Sequence, residues 1–400
     1  MRESLRLPLV LVAALVVAEA GVLILRPELP PPVPPVDPQS YFSSEQLVAA
    51  ENYRATQLAL YGLRLVLELG TLAVLAVRLP GRLARPTRHP VLVAAGAGAG
   101  ISLALGLVTL PVRIASRAQA RDVGLVTQDW PGYAIDVVRT EAISALIAAA
   151  GAALLMVALR RLGRRWWAAG AVAIVAYGAI LTYLAPVVIE PLFNDFELLP
   201  AGELRSEVLG LAERAGVDVG EIYVVDASRR TTGANAYVAG LGDTKRVVLY
   251  DTLLRDFRPE EVRLIVAHEL GHVRHRDVPN GLLYLALVAP VGMLAVARLA
   301  ERLAPDAGRR GPAAIPAVAL AAVLVSTPIA MISNQLSRAV EARADAYSLE
   351  LTDDPESLIA MQSRLSIRNL SDPAPPAWVT FLLSTHPPAA ERIARAEAAR

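Results

Sequence analysis

The chain has 400 residues, 54% of them apolar and 19% charged, with a mean hydropathy of +0.43. That balance excludes an ordinary soluble protein of two or three domains and points to membrane spans built from Ala, Leu and Val. The net charge of +1 is carried on its positive side almost wholly by arginine, and cysteine is absent, which excludes disulfides, thiolate metal ligands and a cysteine nucleophile.

Residues 7–25 form the first apolar run, preceded by Arg2 and Arg6. Ala18-Glu19-Ala20 resembles a signal-peptide cleavage site, but the run continues to Arg26 and is long enough to cross, so an uncleaved span is expected. Residues 27–38 are proline-dense and predict an extended spacer. Further spans are expected near residues 58–77, 91–110, 140–159 and 166–189, and after a more polar segment near 281–299 and 313–332, about seven in all. The small-residue run 94–100 permits close helix approach, and Pro290 and Gly292 interrupt the sixth span. Glu19, Arg64, Glu68 and Glu141 fall within spans, where a charge needs a partner or a polar cavity.

Arg78, Arg82, Arg85 and Arg88 crowd one short loop, and Arg160, Arg161, Arg164 and Arg165 another two spans on. The positive-inside rule puts both in the cytoplasm and the polar segments that flank the last two spans outside, although the loop 111–139 carries four arginines of its own.

The soluble part is split: residues 190–280 precede the last helical hairpin, 281–332, and residues 333–400 follow it, with 1–189 as the membrane domain. In the first piece, 204–215 reads as a helix, 221–225 as a strand, and 236–239 with 246–250 as two strands joined by Gly240-Leu241-Gly242-Asp243, a hairpin signal. In the second, 335–351 should be helical up to the turn-rich Thr352-Asp353-Asp354-Pro355, followed by helices over 357–367 and about 388–399. No basic stripe with interleaved aromatics occurs, which argues against nucleic acid as a partner.

The first piece also contains Ala267-His268-Glu269-Leu270-Gly271-His272-Val273. Pro259 suits a first helical position, Glu260 and Glu261 suit the positive helix end, and Val262, Ile265 and Val266 supply an apolar side. On a helix, His268 and His272 sit one above the other and can aim ring nitrogens at one point beside Glu269. That is the geometry of a zinc site with a glutamate base, and it needs a third protein ligand. His275 shares the face, but seven residues rise about 10 Å, too far for a common ion; the metzincin position six beyond His272 is Val278. A carboxylate from elsewhere is therefore required. Glu341 and Asp345, four apart on one helix, could respectively bind the metal and accept the outer N–H of a ligand histidine. Glu350 and Asp354 share that spacing, and Glu350 stands at a frayed helix end, where it supports a rigid site less well.

On these residues the chain resembles the integral-membrane zinc metalloendopeptidases that include the type 1 CAAX prenyl proteases and the HtpX-like heat-shock proteases. The match rests on His268-Glu269-Leu270-Gly271-His272 and on the block from Ser337-Arg338 to Ala344-Asp345 containing Glu341. It extends to Pro186, Pro191-Leu192-Phe193-Asn194, Asn235-Ala236-Tyr237, Lys245-Arg246, His386-Pro387-Pro388 and Arg392. Seven spans resemble the prenyl-protease branch; the first forty residues match nothing specific.

The resemblance implies a mainly α, polytopic membrane protein with a small α+β zincin-like catalytic domain. It implies one Zn2+ per chain on His268, His272 and Glu341, with Asp345 and Arg338 supporting them. Glu269 would be the base for a zinc-activated water and His386 the oxyanion donor. Asn235, Ala236 and Tyr237 begin a predicted strand that is either an exposed edge able to hold extended substrate or a packed inner strand. Membrane-associated, lipidated or misfolded polypeptides are the implied substrates and the catalytic domain would face the cytoplasm. The arginine- and alanine-rich composition suggests a bacterial cell membrane, where a prenylated substrate is not expected. Two other classes compete: a transporter or channel, motivated by Arg64, Glu68 and Glu141, and an inactive protease-like chaperone.

Overall fold

The computed structural model of the chain describes residues 6–29, 31, 33–83, 87–239, 245–304 and 311–400. Helix α1 (Arg6–Leu25) is followed by α2 (Ser44–Arg78), the short α3 (Pro80–Leu83), α4 (Pro90–Asp122), α5 (Trp130–Leu162) and α6 (Trp166–Val188). Local chemistry sets the starts: the Ser43 hydroxyl accepts from Gln46 N while the Gln46 side chain accepts from Ser43 N, and Asp129 accepts from Gly132 N. Six uninterrupted stretches among the described residues are long and apolar enough to cross a membrane. One of them, Trp130–Val188, is broken at Gly163, whose φ of 54° suits glycine, into α5 and α6. The seven expected crossings therefore correspond to α1, α2, α4, α5, α6, α10 (Asp277–Leu303) and α11 (Ile315–Thr352). Large apolar side chains such as Leu9, Val66, Leu107, Leu146 and Val172 stay exposed on these helices, as a lipid-facing surface requires.

The ionisable residues within the spans are paired. Arg64 binds Glu68 at 2.7 Å, Glu141 binds Arg113, and Glu19 accepts from Gln335.

Two expected borders, at 280/281 and 332/333, fall inside continuous helices. Helix α10 runs through Pro290, and α11 passes from its apolar half through Pro328 into the charged half that holds Glu341. Proline is tolerated in a spanning helix because neighbouring helices or local adjustment can satisfy the freed backbone group, and neither proline ends its helix here.

The soluble module holds a four-stranded sheet in the order β1-β2-β4-β3, from β1 (Phe196–Leu198), β2 (Glu221–Val225), β3 (Ala236–Ala239) and β4 (Arg246–Tyr250). Strand β2 is parallel to β4, while β1 and β3 run antiparallel to their partners. The predicted hairpin strands pair as Ala236↔Leu249 to Ala239↔Arg246; the turn 240–243 lies outside the described residues. Helices α7 (Glu203–Arg214), α8 (Asp251–Asp256), α9 (Pro259–Arg274), α12 (Pro355–Arg368), α13 (Ala377–Leu383) and α14 (Ala389–Glu397) complete the module. One core joins α7, α9, α12, α14 and the sheet through Leu211, Ile222, Leu249, Leu264, Leu270, Leu358 and Ile393. Burial of each large aliphatic side chain contributes roughly 1.5–3 kcal/mol.

The segment after α1 is more than a spacer. Val36 N donates to Ala390 O at 3.3 Å, the Tyr41 hydroxyl donates to the Glu397 carboxylate, and Phe42, 5% exposed, joins the catalytic core. This part of the expected membrane domain belongs to the soluble module, because an aromatic ring placed beside an apolar core buries there.

Candidate active site

Helix α9 begins as its sequence dictates: Pro259 occupies the first turn and the Glu261 carboxylate accepts from Arg258 N at 2.8 Å. Glu261 is itself buried against Arg364. Val262, Leu264, Val266 and Leu270 anchor the helix, leaving His268, Glu269 and His272 toward α11 and a cavity. Gly271 allows the approach of α11, since a Cβ there would meet Tyr347 at 3.1 Å and the Ala344 Cα at 3.5 Å.

Three donor atoms converge. His268 Nε2 lies 3.2 Å from His272 Nε2 and 3.1 Å from Glu341 Oε2, and His272 Nε2 lies 3.7 Å from Glu341 Oε1. The outer nitrogens are held by carboxylates: His268 Nδ1 donates to Asp345 at 3.0 Å and His272 Nδ1 to Asp277 at 2.9 Å. Those bonds place a proton on each Nδ1, so the two Nε2 atoms and a carboxylate face one another. Such a set suits a cation, a metal ion or a proton, between its members. Ligand atoms 2.0–2.1 Å from a tetrahedral zinc stand about 3.3–3.5 Å apart, the range around which these separations fall. The donor set fits the ion. Glu269 also brings a carboxylate oxygen within 4.8 Å of both histidines' ligand atoms, but the shorter approaches belong to Glu341.

Electrostatics agree with that reading. Burial opposes charge on His268, yet its bonds to Asp345 and Glu341 outweigh burial and carry its pKa up to about 10. A proton on His268 therefore competes with the ion for this position. Loading must displace it, so zinc affinity is expected to rise with pH between about 6 and 9, checked by titration against a competing chelator; an affinity flat in pH would exclude His268 as a ligand. Burial lifts the Glu269 carboxyl above its usual range, moderated by His268 and His272, which suits a base that must also return a proton.

Asp345 is 2% exposed and receives Arg392 at 2.7 Å as well as His268. Breaking such a buried pair costs roughly 3–5 kcal/mol, so Arg392 fixes the carboxylate that orients His268. Asp277 and Arg343 form the matching pair behind His272. Sequence reasoning missed Asp277: helix α9 ends at His275, Arg276 takes a left-handed φ of 57°, and α10 starts with Asp277 turned back on the site. An acid just beyond the second histidine was the available signal. Asp277→Asn is expected to weaken zinc binding about 10–100-fold, read by chelator competition.

The other predicted residues fall around this centre. His386, 57% exposed at its side chain, brings Nε2 to 3.2 Å from Glu341 Oε2. Arg338 touches neither histidine nor Glu341. Its guanidinium donates to the carbonyls of Thr380 and Ser384, both at 2.7 Å, and so secures the segment leading to His386 instead of supporting a ligand. His275 donates to Gly271 O at 2.9 Å and stays out of the cluster. Asn235 and Ala236 line a cavity of about 710 Å³ that also exposes His268, Glu269, His386 and Arg392. Strand alternation sends Tyr237 to the other face, where its hydroxyl donates to Glu190. Its side chain is therefore no part of the cavity wall, though β3 is an edge strand whose outer backbone pairs with no strand among the described residues.

The sequence model of peptidase family M48 matches residues 198–400. The uncharacterized metalloprotease YhfN of Bacillus subtilis is 31% identical over 373 residues, covering 90% of this chain and 88% of YhfN. A CAAX prenyl protease 1 homolog of Oryza sativa is 32% identical, covering 56% of this chain and 53% of its own length. Among solved structures, Ste24p of S. mikatae superposes with a TM-score of 0.77 over 98% of both chains at 21% identity, a likeness of fold.

Proposed function

The chain belongs to peptidase family M48 and is a metallopeptidase of the membrane, and on that premise we propose that its ion is a single zinc held by His268, His272 and Glu341, with Glu269 as general base. The observation that carries this reading is the facing pair of Nε2 atoms with one carboxylate at tetrahedral edge distances. When bound, zinc supplies Lewis acidity to a water and to the scissile carbonyl. Glu269 takes the water's proton and passes it to the leaving amine. His386 donates to the developing oxyanion from the cavity rim. The outer edge of β3, entered at Asn235 and Ala236, pairs with an extended substrate backbone, which leaves the cavity to receive its side chains.

The substrates are membrane-associated or misfolded polypeptides, and the bacterial relative YhfN supports a bacterial cell membrane as the location. No prenyl group is assigned to them. Purified protein in detergent should contain one zinc per chain, lose peptide hydrolysis on chelation and regain it with added zinc. Hydrolysis that survives complete removal of metal would overturn the reading. His386→Ala is expected to lower kcat about 10²–10³-fold with zinc content and KM little changed, as for loss of one oxyanion donor.

A further inference from the structure

The structure separates the helix connections into two ends. At one end, α3 packs on the turn Pro312–Ala314, and Leu159, Arg164, Trp166, Glu301 and Ala314 share a small cavity. The C-terminal ends of α2, α5 and α10 therefore lie together, and the start of α1 joins them through Val10 and Leu11. At the other end the catalytic module is bound to the remaining connections. Arg54 pairs with Asp372 at 2.6 Å, Thr127 N donates to Arg230 O at 3.1 Å, and Thr231 Oγ donates to Leu125 O at 2.9 Å.

Charge divides along the same line. The described residues of the end remote from the catalytic module, 6, 78–83, 87–89, 160–165 and 298–304, carry ten arginines against one acid. The two connections on the catalytic side, 26–57 and 111–139, carry six arginines against seven acids. Arg78, Arg88, Arg160, Arg161, Arg164 and Arg165 are exposed. The arginines of 111–139 that weighed against the rule are largely engaged: Arg113 binds Glu141, Arg117 lies over Trp130 and Tyr133, and Arg139 donates to Leu192 O.

Arginine in short loops beside spans is retained in the cytoplasm, whereas a long domain is translocated largely regardless of its own charge. We propose that the arginine-rich end is cytoplasmic and that the catalytic cavity opens on the opposite, extracytoplasmic face. Its substrates are then polypeptide segments presented outside the cytoplasm, in exported proteins or the outer portions of membrane proteins. The assignment reverses the cytoplasmic orientation implied by resemblance. The substrate class rests on the peptidase reading; the orientation does not.

Because the chain lacks cysteine, single thiols can be placed in the full-length protein and expressed in a bacterial host. Asp195→Cys, at a site 81% exposed on the catalytic side, is expected to react with a membrane-impermeant maleimide in intact spheroplasts, and Arg88→Cys only after lysis. The opposite pattern, or labelling of both in intact spheroplasts, overturns the orientation. A phosphatase that folds only outside the cytoplasm, fused after Arg400, should be active; a full-length membrane-bound fusion without activity overturns it too. Both readouts are expected unchanged in a Glu269→Gln background. Loss of the orientation and loss of the peptidase reading are thereby told apart.

Discussion

Glu269→Gln is expected to lower peptide hydrolysis by at least about 10²–10⁴-fold, the usual worth of a positioned general base, while one zinc per chain is retained. The carboxylate borders the cavity beside His268 and reaches neither Asp345 nor Asp277 in the bonding of the cluster. Glutamine has the same shape and still fills the site, so packing against α11 survives. What it lacks is a basic oxygen able to take a proton from water and give it to the amine. Burial, which raises the Glu269 pKa, matters on the first leg, because a stronger base accepts the water's proton more readily, while its acid can still donate to the more basic amine. Assays of purified protein on an unstructured peptide, with zinc measured on the same samples, separate the outcomes. Undiminished cleavage removes Glu269 from the mechanism, and lost zinc makes it a ligand.

Local pattern carried much of this site. Helix α9 follows from Pro259, the acids behind it and the apolar spacing, and its two histidines meet because they are four apart. Strands β2, β3 and β4 have the bounds that alternation and turn residues predict. Glu341 and Asp345 share a helix face for the same reason as the histidines. The features that escaped depend on distant contacts or unusual backbone. Arg276 is a non-glycine residue in a left-handed conformation, which no propensity foretells, and Asp277 reaches His272 only because of it. Phe42 joins a core assembled from residues more than 150 positions away. Arg338 sits in the motif block, yet its bonds go to the backbone of a helix, α13, that no periodic signal marked. Tyr237 is different, since strand alternation alone separates it from Ala236.

Glu341→Ala is expected to strip the ion and with it all measurable hydrolysis. Supporting residues behind a ligand cost about 10–100-fold in affinity, and removing a ligand itself must cost more, because the remaining His268 and His272 supply two donors where a catalytic zinc takes three from protein. Glu350→Ala is the control: its carboxylate is exposed near the end of α11, and Asp354, the other acid of that spacing, is engaged in capping α12 through Ser357 N at 2.9 Å. Thermal unfolding adds a readout independent of turnover. An ion bound at 1,000 times its Kd stabilises the folded state by about 4 kcal/mol, so wild type and Glu350→Ala should gain stability on adding zinc while Glu341→Ala does not respond. Helix α11 gives the substitution no other route to the same result, since alanine suits a helix interior and, among the described residues, the Glu341 carboxylate pairs with His268, His272 and His386 alone. A Glu341→Ala protein that keeps its zinc, or a Glu350→Ala protein that loses it, moves the third ligand elsewhere.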